Sequence, residues 1–517
     1  MSGLSLTQPL EKARRERPDG LFTICGTRRR TNREFVERVS RIAGALKSLG
    51  LKPGDRVAML AHNSDRYVEY VFATLWAGGV INPVTTRWSL QEMAFSLVDS
   101  ETRILIVDEN FISLLSELRT LSPCIEHVIY AGERTPSEPV NEWEALIASH
   151  QPIEDVCRSD EDMAALLYTG GTTGRPKGVM LSHAAIATCS LSLTAAAPNG
   201  GDAPGLHVAP FFHIGGVGVI FQFAYRRAPQ VIMPVFDAGD ALRLIEEEKV
   251  GDIFVVPTML RWLIDHPDIA QRDLSSLVSI RYGAAPIDGT LLSRAMEAIP
   301  TAGFMQVYGQ TEFAPVVTCL PPKDHVGENA GERLRSAGRP LPTATVAIVD
   351  QNRTPLPNRE IGEIAVMGPQ QMLGYWNRPE ETDAALSNGW LYTGDAGFMD
   401  DEGYLYVVDR VKDMIVTGGE NVYSAEVENA LSKMPGVATC AVIALPDANY
   451  GERVHAVIVP STDVEFSLED IRAHCKELIA GYKAPRSVSF IKELPLSPAG
   501  KVLKHVLRAT VKDGDPV

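Results

Sequence analysis

Strand-like and helix-like segments alternate regularly between residues 30 and 300, and this alternation limits the folds open to the chain. Short apolar runs such as 102–109 ("TRILIVDE") and 251–257 ("GDIFVVP") are typical of buried strands. The segments 32–50 and 240–251 instead carry apolar residues at three- and four-residue steps and end on glycine, as helices do. Because strands that alternate with helices form parallel sheets covered on both faces, we predict an α/β fold class.

The pattern changes after residue 340, where glycine, proline and asparagine turns separate strand-like runs such as "TATVAIVD" and "GYLYVVDR". A β-rich subdomain is therefore predicted at about residues 335–410. The last hundred or so residues carry strands and helices of their own, which predicts a small α+β domain. We place the domain boundary near Arg410, so that the predicted domains are 1–410 and 411–517.

Charge and composition exclude several classes of function. Lysine and arginine number 49 against 65 aspartates and glutamates, and the net charge of −16 would repel nucleic acid. The seven cysteines are scattered and form no C-x-x-C pair, which argues against a disulfide framework or a zinc site. The N-terminus has no secretory signal pattern and no apolar run approaches the roughly 18 residues of a membrane helix, so we expect a cytoplasmic protein without an integral membrane segment.

The segment "YTGGTTGRPKG" (168–178) has the composition of a phosphate-binding loop. Its glycines let the backbone approach a ligand, its threonine hydroxyls and backbone N–H groups donate hydrogen bonds, and Lys177 adds positive charge. It differs from the common nucleotide-binding P-loop, because Arg175 and Pro176 separate Gly174 from the lysine and no serine or threonine follows to hold a metal ion. We therefore predict that a phosphate chain binds here in another way.

Three further polar clusters allow two interpretations each when they are taken singly. His213 in "PFFHIGG" is either a functional residue or a hydrogen-bonded core histidine. Thr311 and Glu312 in "YGQTE" are either ligand-binding residues or the first turn of a helix. Asp395 in "YTGD" is either a ligand-binding residue or part of a β-turn.

Taken in order, however, these segments form a recognisable set. "YTGGTTGRPKG", "PFFHIGG", "YGAAP", "YGQTE", "LYTGD", "DRVKDMIVTGGENVYSAEVE" and "PLSPAGKVLKHVLR" resemble the adenylate-forming superfamily from about residue 30 to 508. That superfamily contains acyl-CoA synthetases, aryl-CoA ligases, peptide-synthetase adenylation domains and beetle luciferases. The sequences of the segments "GGENVYSAEVE" and "GYWNRPEET" are most similar to those of bacterial fatty-acyl-CoA and aryl-CoA ligases.

The resemblance implies an ATP site. The threonine- and glycine-rich loop would wrap the β- and γ-phosphates, "YGAAP" and Tyr308 would enclose adenine, Thr311 would reach the α-phosphate, and Asp395 would accept hydrogen bonds from both ribose hydroxyls. Gly170 stands where the family usually has serine, so one hydroxyl donor is missing. The predicted ATP-binding residues are Thr169, Gly170, Gly171, Thr172, Thr173, Gly174, Lys177, Gly283, Ala284, Ala285, Tyr308, Gly309, Thr311, Asp395, Arg410 and Lys501.

The resemblance also implies a set of catalytic residues, namely Lys501, His213, Thr311 and Glu312. Lys501 would stabilise the negative charge that builds around the α-phosphorus, although a surface lysine beside a turn is the alternative interpretation. Glu312, with Thr172, would hold Mg²⁺, a hard cation that prefers carboxylate and phosphate oxygens.

Three other features rest on the resemblance. Lys412 would be the hinge about which the C-terminal domain moves between two catalytic poses. Gly418, Gly419 and Glu420 would line the tunnel for the pantetheine arm of coenzyme A. The acyl pocket, closed by His213, would be lined by His213, Ile214, Gly215, Gly216, Met305 and Val307.

Together these features predict an ATP-dependent carboxylic acid:CoA ligase that forms an acyl-adenylate and then a thioester. Gly215, Gly216 and Gly218 leave room for a medium- or long-chain fatty acid or an aromatic acid. The sequence reveals no cation placed for a second carboxylate, which favours an apolar acid. Transfer to a separate acyl carrier protein and a non-catalytic acyl or nucleotide sensor are the alternatives, and the resemblance allows a homodimer.

Overall fold

The computed structural model describes residues 3–136, 138–169, 176–196, 200–327, 330–418, 420–461, 466–496 and 502–511. The chain divides into two compact units: the first comprises Met1–Val346 and Val366–Leu391, and the second comprises Ala347–Ala365 and Tyr392–Val517. The helices in the described residues are α1 (Gln8–Glu16), α2 (Asn32–Ser48), α3 (Asp65–Trp76), α4 (Leu90–Asp99), α5 (Leu115–Leu121), α6 (Trp143–Ser149), α7 (His183–Ala196), α8 (Ile214–Arg226), α9 (Ala238–Glu247), α10 (Pro257–Ile264), α11 (Gly289–Ala298), α12 (Ala330–Arg333), α13 (Pro379–Ala385), α14 (Ser424–Leu431), α15 (Leu468–Leu478) and α16 (Lys504–Thr510).

Two large sheets form the first unit. The strands are β1 (Leu21–Cys25), β2 (Arg28–Thr31), β3 (Arg56–Leu60), β4 (Val80–Pro83), β5 (Ile104–Val107), β6 (His127–Tyr130), β7 (Asn141–Glu142), β8 (Met163–Thr169), β9 (Lys177–Ser182), β10 (Gly205–His207), β11 (Gln230–Ile232), β12 (Asp252–Val255), β13 (Ser279–Gly283), β14 (Gly303–Gly309), β15 (Val316–Leu320), β16 (Arg339–Pro340) and β19 (Gly374–Tyr375). Within the described residues, one sheet has the order β19-β9-β8-β4-β3-β5-β6-β7 and the other β16-β15-β14-β13-β12-β10-β11-β1-β2.

The remaining strands lie in two smaller sheets. They are β17 (Thr345–Val349), β18 (Gly362–Met367), β20 (Leu386–Ser387), β21 (Trp390–Met399), β22 (Leu405–Arg410), β23 (Ile415–Thr417), β24 (Glu420–Val422), β25 (Val437–Asp447), β26 (Gly451–Pro460) and β27 (Ser487–Phe490). One sheet has the order β17-β18-β21-β20, with β22 beside β21, and the other β24-β23-β26-β25, with β27 beside β26. The division between the two units passes through β17, β18 and β21. These sheets confirm the predicted α/β class, the β-rich region and the small α+β domain.

Local sequence signals explain individual elements. Helix α2 begins at a capping box, in which the Thr31 side chain accepts from the Glu34 N–H and the Glu34 carboxylate accepts from the Thr31 N–H. Strand β5 reads Ile-Leu-Ile-Val and is fully buried. Such a continuous apolar run is typical of a parallel strand covered on both faces, since alternating residues point to opposite sides and both sides are packed.

Four parallel strands of the nine-stranded sheet position the predicted motifs. Strands β10, β12, β13 and β14 pair in parallel, in that order. The carboxyl ends of parallel strands lie at one edge of a sheet, where α/β proteins bind ligands. "PFFHIGG" follows β10, "YGAAP" overlaps the end of β13 and "YGQTE" overlaps the end of β14, so the pairing brings all three motifs to the same edge.

Tyr392–Asp395 lies within strand β21, so the β-turn interpretation of "YTGD" is wrong. Strand β21 pairs with β18, β20 and β22 in one sheet, and Asp395 lies opposite Arg410 on β22. No helix in the described part of the chain has the length and apolar character that a bilayer crossing requires.

Burial of His183 makes the stability of the fold depend on pH. This side chain is 1% exposed, its Nδ1 accepts from the Leu6 N–H, and burial lowers its pKa to about 4. The unfolded chain takes up a proton below about pH 6.5, whereas the folded chain resists protonation until about pH 4. Stability is therefore present above about pH 6.5 and is lost as the pH falls towards 4.

We expect the free energy of unfolding to fall by about 2 kcal/mol between pH 7 and pH 5 through this histidine. Urea titrations at the two pH values measure the loss. A His183→Gln variant should show a smaller loss than the wild type, because glutamine does not titrate. An equal loss in both proteins would show that His183 is not the group responsible.

Candidate active site

The predicted phosphate loop connects the antiparallel strands β8 and β9. Thr169 at the end of β8 lies opposite Lys177 at the start of β9, and the Thr169 hydroxyl donates to the Lys177 carbonyl oxygen at 3.5 Å. Five of the predicted loop residues, Gly170, Gly171, Thr172, Thr173 and Gly174, lie outside the described residues. The hairpin therefore fixes both ends of the loop.

Tyr375 links the lysine of this hairpin to the predicted magnesium ligand. Strand β19 pairs with β9 and places Tyr375 opposite Val179. The Lys177 Nζ atom lies 5.1 Å from the centre of the Tyr375 ring, a cation–π distance, and the Tyr375 hydroxyl donates to the Glu312 carboxylate at 2.9 Å. The sequence analysis missed Tyr375, although it lies within "GYWNRPEET", one of the segments that carried the family resemblance.

Backbone crowding shapes the ends of β13 and β14. A Cβ atom on Gly283 would lie 2.2 Å from the Val307 carbonyl oxygen, and one on Gly309 would lie 1.8 Å from the Pro315 carbonyl oxygen. Ala284, which follows Gly283, has a φ of +65°, a conformation that costs free energy for a residue other than glycine. The predicted adenine-binding segment is thus held in one strained backbone conformation, with Ala284 exposed and Ala285 half-buried.

Tyr282, which directly precedes Gly283 in the predicted adenine-binding segment, is fixed by a buried polar contact. Its hydroxyl lies 2.8 Å from His325 Nε2, in a buried pair. Burial raises the pKa of Tyr282 and lowers the pKa of His325, so both side chains stay neutral near pH 7. A neutral pair of this kind satisfies two buried polar groups without adding charge beside a nucleotide.

Asn63 holds the loop that carries His213. Its side-chain amide donates to the Ala209 carbonyl oxygen at 3.0 Å and accepts from the Phe211 N–H at 2.8 Å. His213 is half-buried and is the N-cap residue of α8, so the first turn of that helix contains the predicted pocket residues Ile214, Gly215 and Gly216. Nothing in the sequence around Asn63 indicated this contact, because its partners are about 150 residues away along the chain.

The other predicted pocket residues lie on β14. Met305 and Val307 are buried, at 1% and 8% exposure, on the same side of the strand. Tyr308 and Thr311 follow at its carboxyl end and are half-buried, and Thr311–Phe313 form a short 3₁₀ turn. The expected helical turn at Thr311 and Glu312 is therefore present, and it holds both side chains at the ligand-binding edge of the sheet.

Glu312 has the chemistry that a magnesium ion requires. Its carboxylate is half-buried, and among the described residues it accepts only the hydrogen bond from Tyr375. The donor is a neutral phenol, so the negative charge is not neutralised and a carboxylate oxygen can meet a hard cation. The described residues contain no cluster of three or more potential metal ligands.

The second unit carries its own predicted residues. Arg410 at the end of β22 forms an ion pair with Asp395 on β21, with 2.7 Å between Nε and Oδ1. Lys412 lies in the 3₁₀ turn Val411–Asp413, and Gly418 adopts a φ of +62° between β23 and β24, next to Glu420. Gly419 and Lys501 lie outside the described residues.

Comparison with known proteins identifies the family. The model of the AMP-binding enzyme family matches residues 10–376, and that of the AMP-binding enzyme C-terminal domain matches residues 426–501. The chain belongs to the AMP-binding enzyme family. It is an AMP-forming acid–thiol ligase, as the recognition of the ordered motifs predicted.

Relatives and solved structures match nearly the whole chain. A feruloyl-CoA synthase from Amycolatopsis sp is 38% identical, with 92% of this chain and 93% of the relative covered. A fatty acid–[acyl-carrier-protein] ligase, ScoC, from Streptomyces coeruleorubidus is 35% identical, with 94% and 92% covered. The crystal structure of ATP-bound MatB from Rhodopseudomonas palustris is 30% identical and superimposes with a TM-score of 0.89, covering 99% of each chain.

The crowding at Gly309 predicts that alanine will not be tolerated there. Gly309→Ala should lower the free energy of unfolding by about 1–3 kcal/mol and reduce AMP formation, because the new methyl group would clash with the Pro315 carbonyl. Gly289→Ala is the matched control, since a Cβ atom at Gly289 meets nothing within 4 Å. Urea unfolding and AMP release should show a loss for the first variant alone, and equal behaviour of the two would contradict the assignment.

Proposed function

We propose that this ligase activates a medium- or long-chain fatty acid or an aromatic acid with ATP and transfers the acyl group to coenzyme A. The observation that carries the proposal is the cluster of Lys177, Tyr375 and Glu312 at the end of the β8–β9 hairpin. Tyr375 contacts the Lys177 ammonium group with its ring and the Glu312 carboxylate with its hydroxyl, where β9 follows the segment rich in threonine and glycine. Such a pair suits a magnesium-bound polyphosphate, since the lysine meets phosphate oxygens and the carboxylate meets the metal.

In the first reaction the carboxylate of the acid attacks the α-phosphorus and pyrophosphate leaves. Lys177 and the loop Thr169–Gly174 hold the departing phosphates, and Thr311 holds the α-phosphate. Lys501 stabilises the negative charge of the transition state more than that of the ground state, which is how a fixed ammonium group accelerates such a step. Mg²⁺, held by Glu312 with Thr172, supplies further neutralisation of phosphate charge when bound.

Asp395 and Arg410 hold the ribose in this proposal. A carboxylate offers only acceptors, so it matches the two hydroxyl donors of ribose. The ion pair with Arg410 fixes the orientation of the Asp395 carboxylate. The half-exposed guanidinium of Arg410 retains further donors for a ribose or phosphate oxygen.

In the second reaction a thiolate displaces AMP from the acyl-adenylate. We assign the approach of the pantetheine arm to Gly418, Gly419 and Glu420. The positive φ of Gly418 supports this, since glycine adopts that conformation freely and leaves backbone accessible to a ligand. Rotation about Lys412 would exchange Lys501 for this segment between the two reactions.

The proposed substrate class follows from the pocket and from the relatives. Gly215 and Gly218 remove side-chain bulk from α8 beside His213, and buried Met305 provides an apolar wall. One relative is named for a feruloyl substrate and another for fatty acids, and these names correspond to the aromatic and fatty acids proposed here. The ScoC relative also supports a second candidate, in which the acyl group passes to an acyl carrier protein.

We expect AMP release with Mg-ATP and a suitable acid to rise strongly when coenzyme A is added. The assay uses acids from acetate through decanoate and palmitate to benzoate and coumarate, with and without coenzyme A. A Lys501→Ala variant should lose AMP formation by at least about 100-fold, because a fixed charge that stabilises the transition state contributes at this level.

Two other outcomes of this assay would contradict the proposed transfer to coenzyme A. Pyrophosphate exchange without stimulation by coenzyme A, combined with acyl transfer to a purified acyl carrier protein, would favour the second candidate. No adenylation of any acid would overturn both.

Loss of the Tyr375 hydroxyl should weaken magnesium use without unfolding the protein. We expect Tyr375→Phe to raise the magnesium concentration needed for half-maximal activity several-fold, because the Glu312 carboxylate loses the bond that orients it. The phenyl ring keeps its contact with Lys177, so the KM for ATP at saturating magnesium should change little. A large rise in that KM would instead assign Tyr375 to ATP binding.

A further inference from the structure

A buried cluster of charged and amide groups lies under helix α8, in the first unit. Arg281 on β13 is 2% exposed, and its Nε donates to Asp252 on β12 at 2.9 Å. Its Nη1 donates to the Gln222 side-chain oxygen. Arg226, at the end of α8, reaches the other oxygen of Asp252. We call Gln222, Arg226, Asp252 and Arg281 the α8 cluster.

The α8 cluster has more cationic donors than acceptors. Two guanidinium groups share one carboxylate, so the cluster carries an excess positive charge. The Nη2 atoms of Arg281 and Arg226 and the side-chain nitrogen of Gln222 are buried and have no hydrogen-bond partner among the described residues. Asp202 and the Phe223 ring also act on these cations, but neither supplies an acceptor for the orphaned N–H groups of Arg281 and Gln222. Because buried donors without acceptors are costly, a site of this kind is suited to an external oxygen acceptor.

Strand register places the α8 cluster on the side of the sheet that faces the acyl pocket. Arg281 lies between Phe254 and Met305 in the parallel pairing of β12, β13 and β14, on one face of the sheet. The core with α9, α10 and α11 occupies the other face, where Ile253, Tyr282 and Phe304 are buried. Met305 is a predicted pocket residue, and Arg281 is its neighbour across the sheet.

Helix α8 carries Gln222 and two of the pocket glycines on one stripe. Gly215, Gly218 and Gln222 recur at three- and four-residue steps and so share a face of the helix. A Cβ atom on Gly218 would meet only Ile214 and Pro315, each at 3.8 Å, and one on Gly215 would lie 3.3 Å from the Phe254 ring. A methyl group at Gly218 would thus make only ordinary van der Waals contacts, whereas the Phe254 ring closes the side of Gly215. Gln222 lies about 12 Å along the helix from Ile214.

We propose that Arg281 and Gln222 form the far end of the acyl site and bind an oxygen acceptor at the distal end of the acid substrate. The acceptor is a ketone, a phenolic oxygen or a second carboxylate. The inference rests on the proposed ligase function and narrows its substrate class. It also revises the expectation of a purely apolar acid, because Arg281 stands inside the buried strand "SIRYG", where no sequence pattern marked it as a ligand-binding cation.

The test compares acids that differ only in the distal oxygen. Octanoate is paired with oxo-octanoate and with octanedioate, and phenylpropanoate with its para-hydroxyl derivative. The kcat/KM for AMP release with coenzyme A is measured for each acid. The wild type should prefer at least one oxygenated acid by about 10- to 100-fold, the range of a hydrogen bond to a charged group, and the preferred pair identifies the acceptor.

Variants at Arg281 and Arg226 distinguish binding of the distal oxygen from structural support of Asp252. Arg281→Met should remove the preference while retaining turnover of the apolar acid, and Arg281→Lys, which keeps the charge, should retain part of it. Arg226→Met is the matched control, since it removes the other partner of Asp252. Arg226 is anchored to the Gly201 carbonyl, away from the pocket glycines, so this variant should keep the ratio between paired acids. The ratio of the two kcat/KM values is measured on one protein preparation. Any unfolded fraction lowers both values equally and leaves their ratio unchanged.

Three outcomes would overturn the inference. Equal use of paired acids by the wild type would mean that water alone satisfies the donors. A preference that survives in Arg281→Met, or that is lost equally in Arg226→Met, would place recognition elsewhere. In these cases turnover of the apolar acids leaves the proposed function intact, whereas absence of AMP with every acid would overturn the ligase proposal and this inference with it.

Discussion

The parallel pairing of β10, β12, β13 and β14 is the constraint on which the candidate site depends. Hydrogen bonding in that order sets the carboxyl ends of the strands at one edge, so that loops far apart in sequence share a surface. The same pairing also fixes which side chains point to which face. One face builds the apolar core, and the opposite face is left for Phe254, Arg281 and Met305. Core packing and ligand binding are therefore set by the same register.

Local placement of charge explains how an acidic chain binds polyanions. The net charge is −16, yet Lys177 and Arg410 each stand at a predicted phosphate or ribose position. Lys177 is held against an aromatic ring, whereas Arg410 is held by a carboxylate. These two supports keep each cation oriented.

Prediction from sequence succeeded where the signal was local. The α/β class followed from hydrophobic periodicity, and the family followed from short motifs in a fixed order. It failed where a residue acts through a distant partner. Tyr375 bonds Glu312 across 63 residues, and Arg281 bonds Gln222 across 59. The β-turn interpretation of "YTGD" failed for the same reason, because β21 is paired with β18, β20 and β22 in one sheet.

The sequence by itself determined the family, because the motifs that carry the resemblance depend on residue type, short spacing and order, which can be read along the chain. The resemblance then implied a loop for phosphates, a carboxylate for magnesium, an acceptor for ribose and a lysine for the transition state. Tertiary structure decided which groups meet, namely the tyrosine that joins Lys177 to Glu312 and the buried arginine beside the acyl pocket. Those contacts depend on sheet order and strand register, which arise only when distant segments pack together.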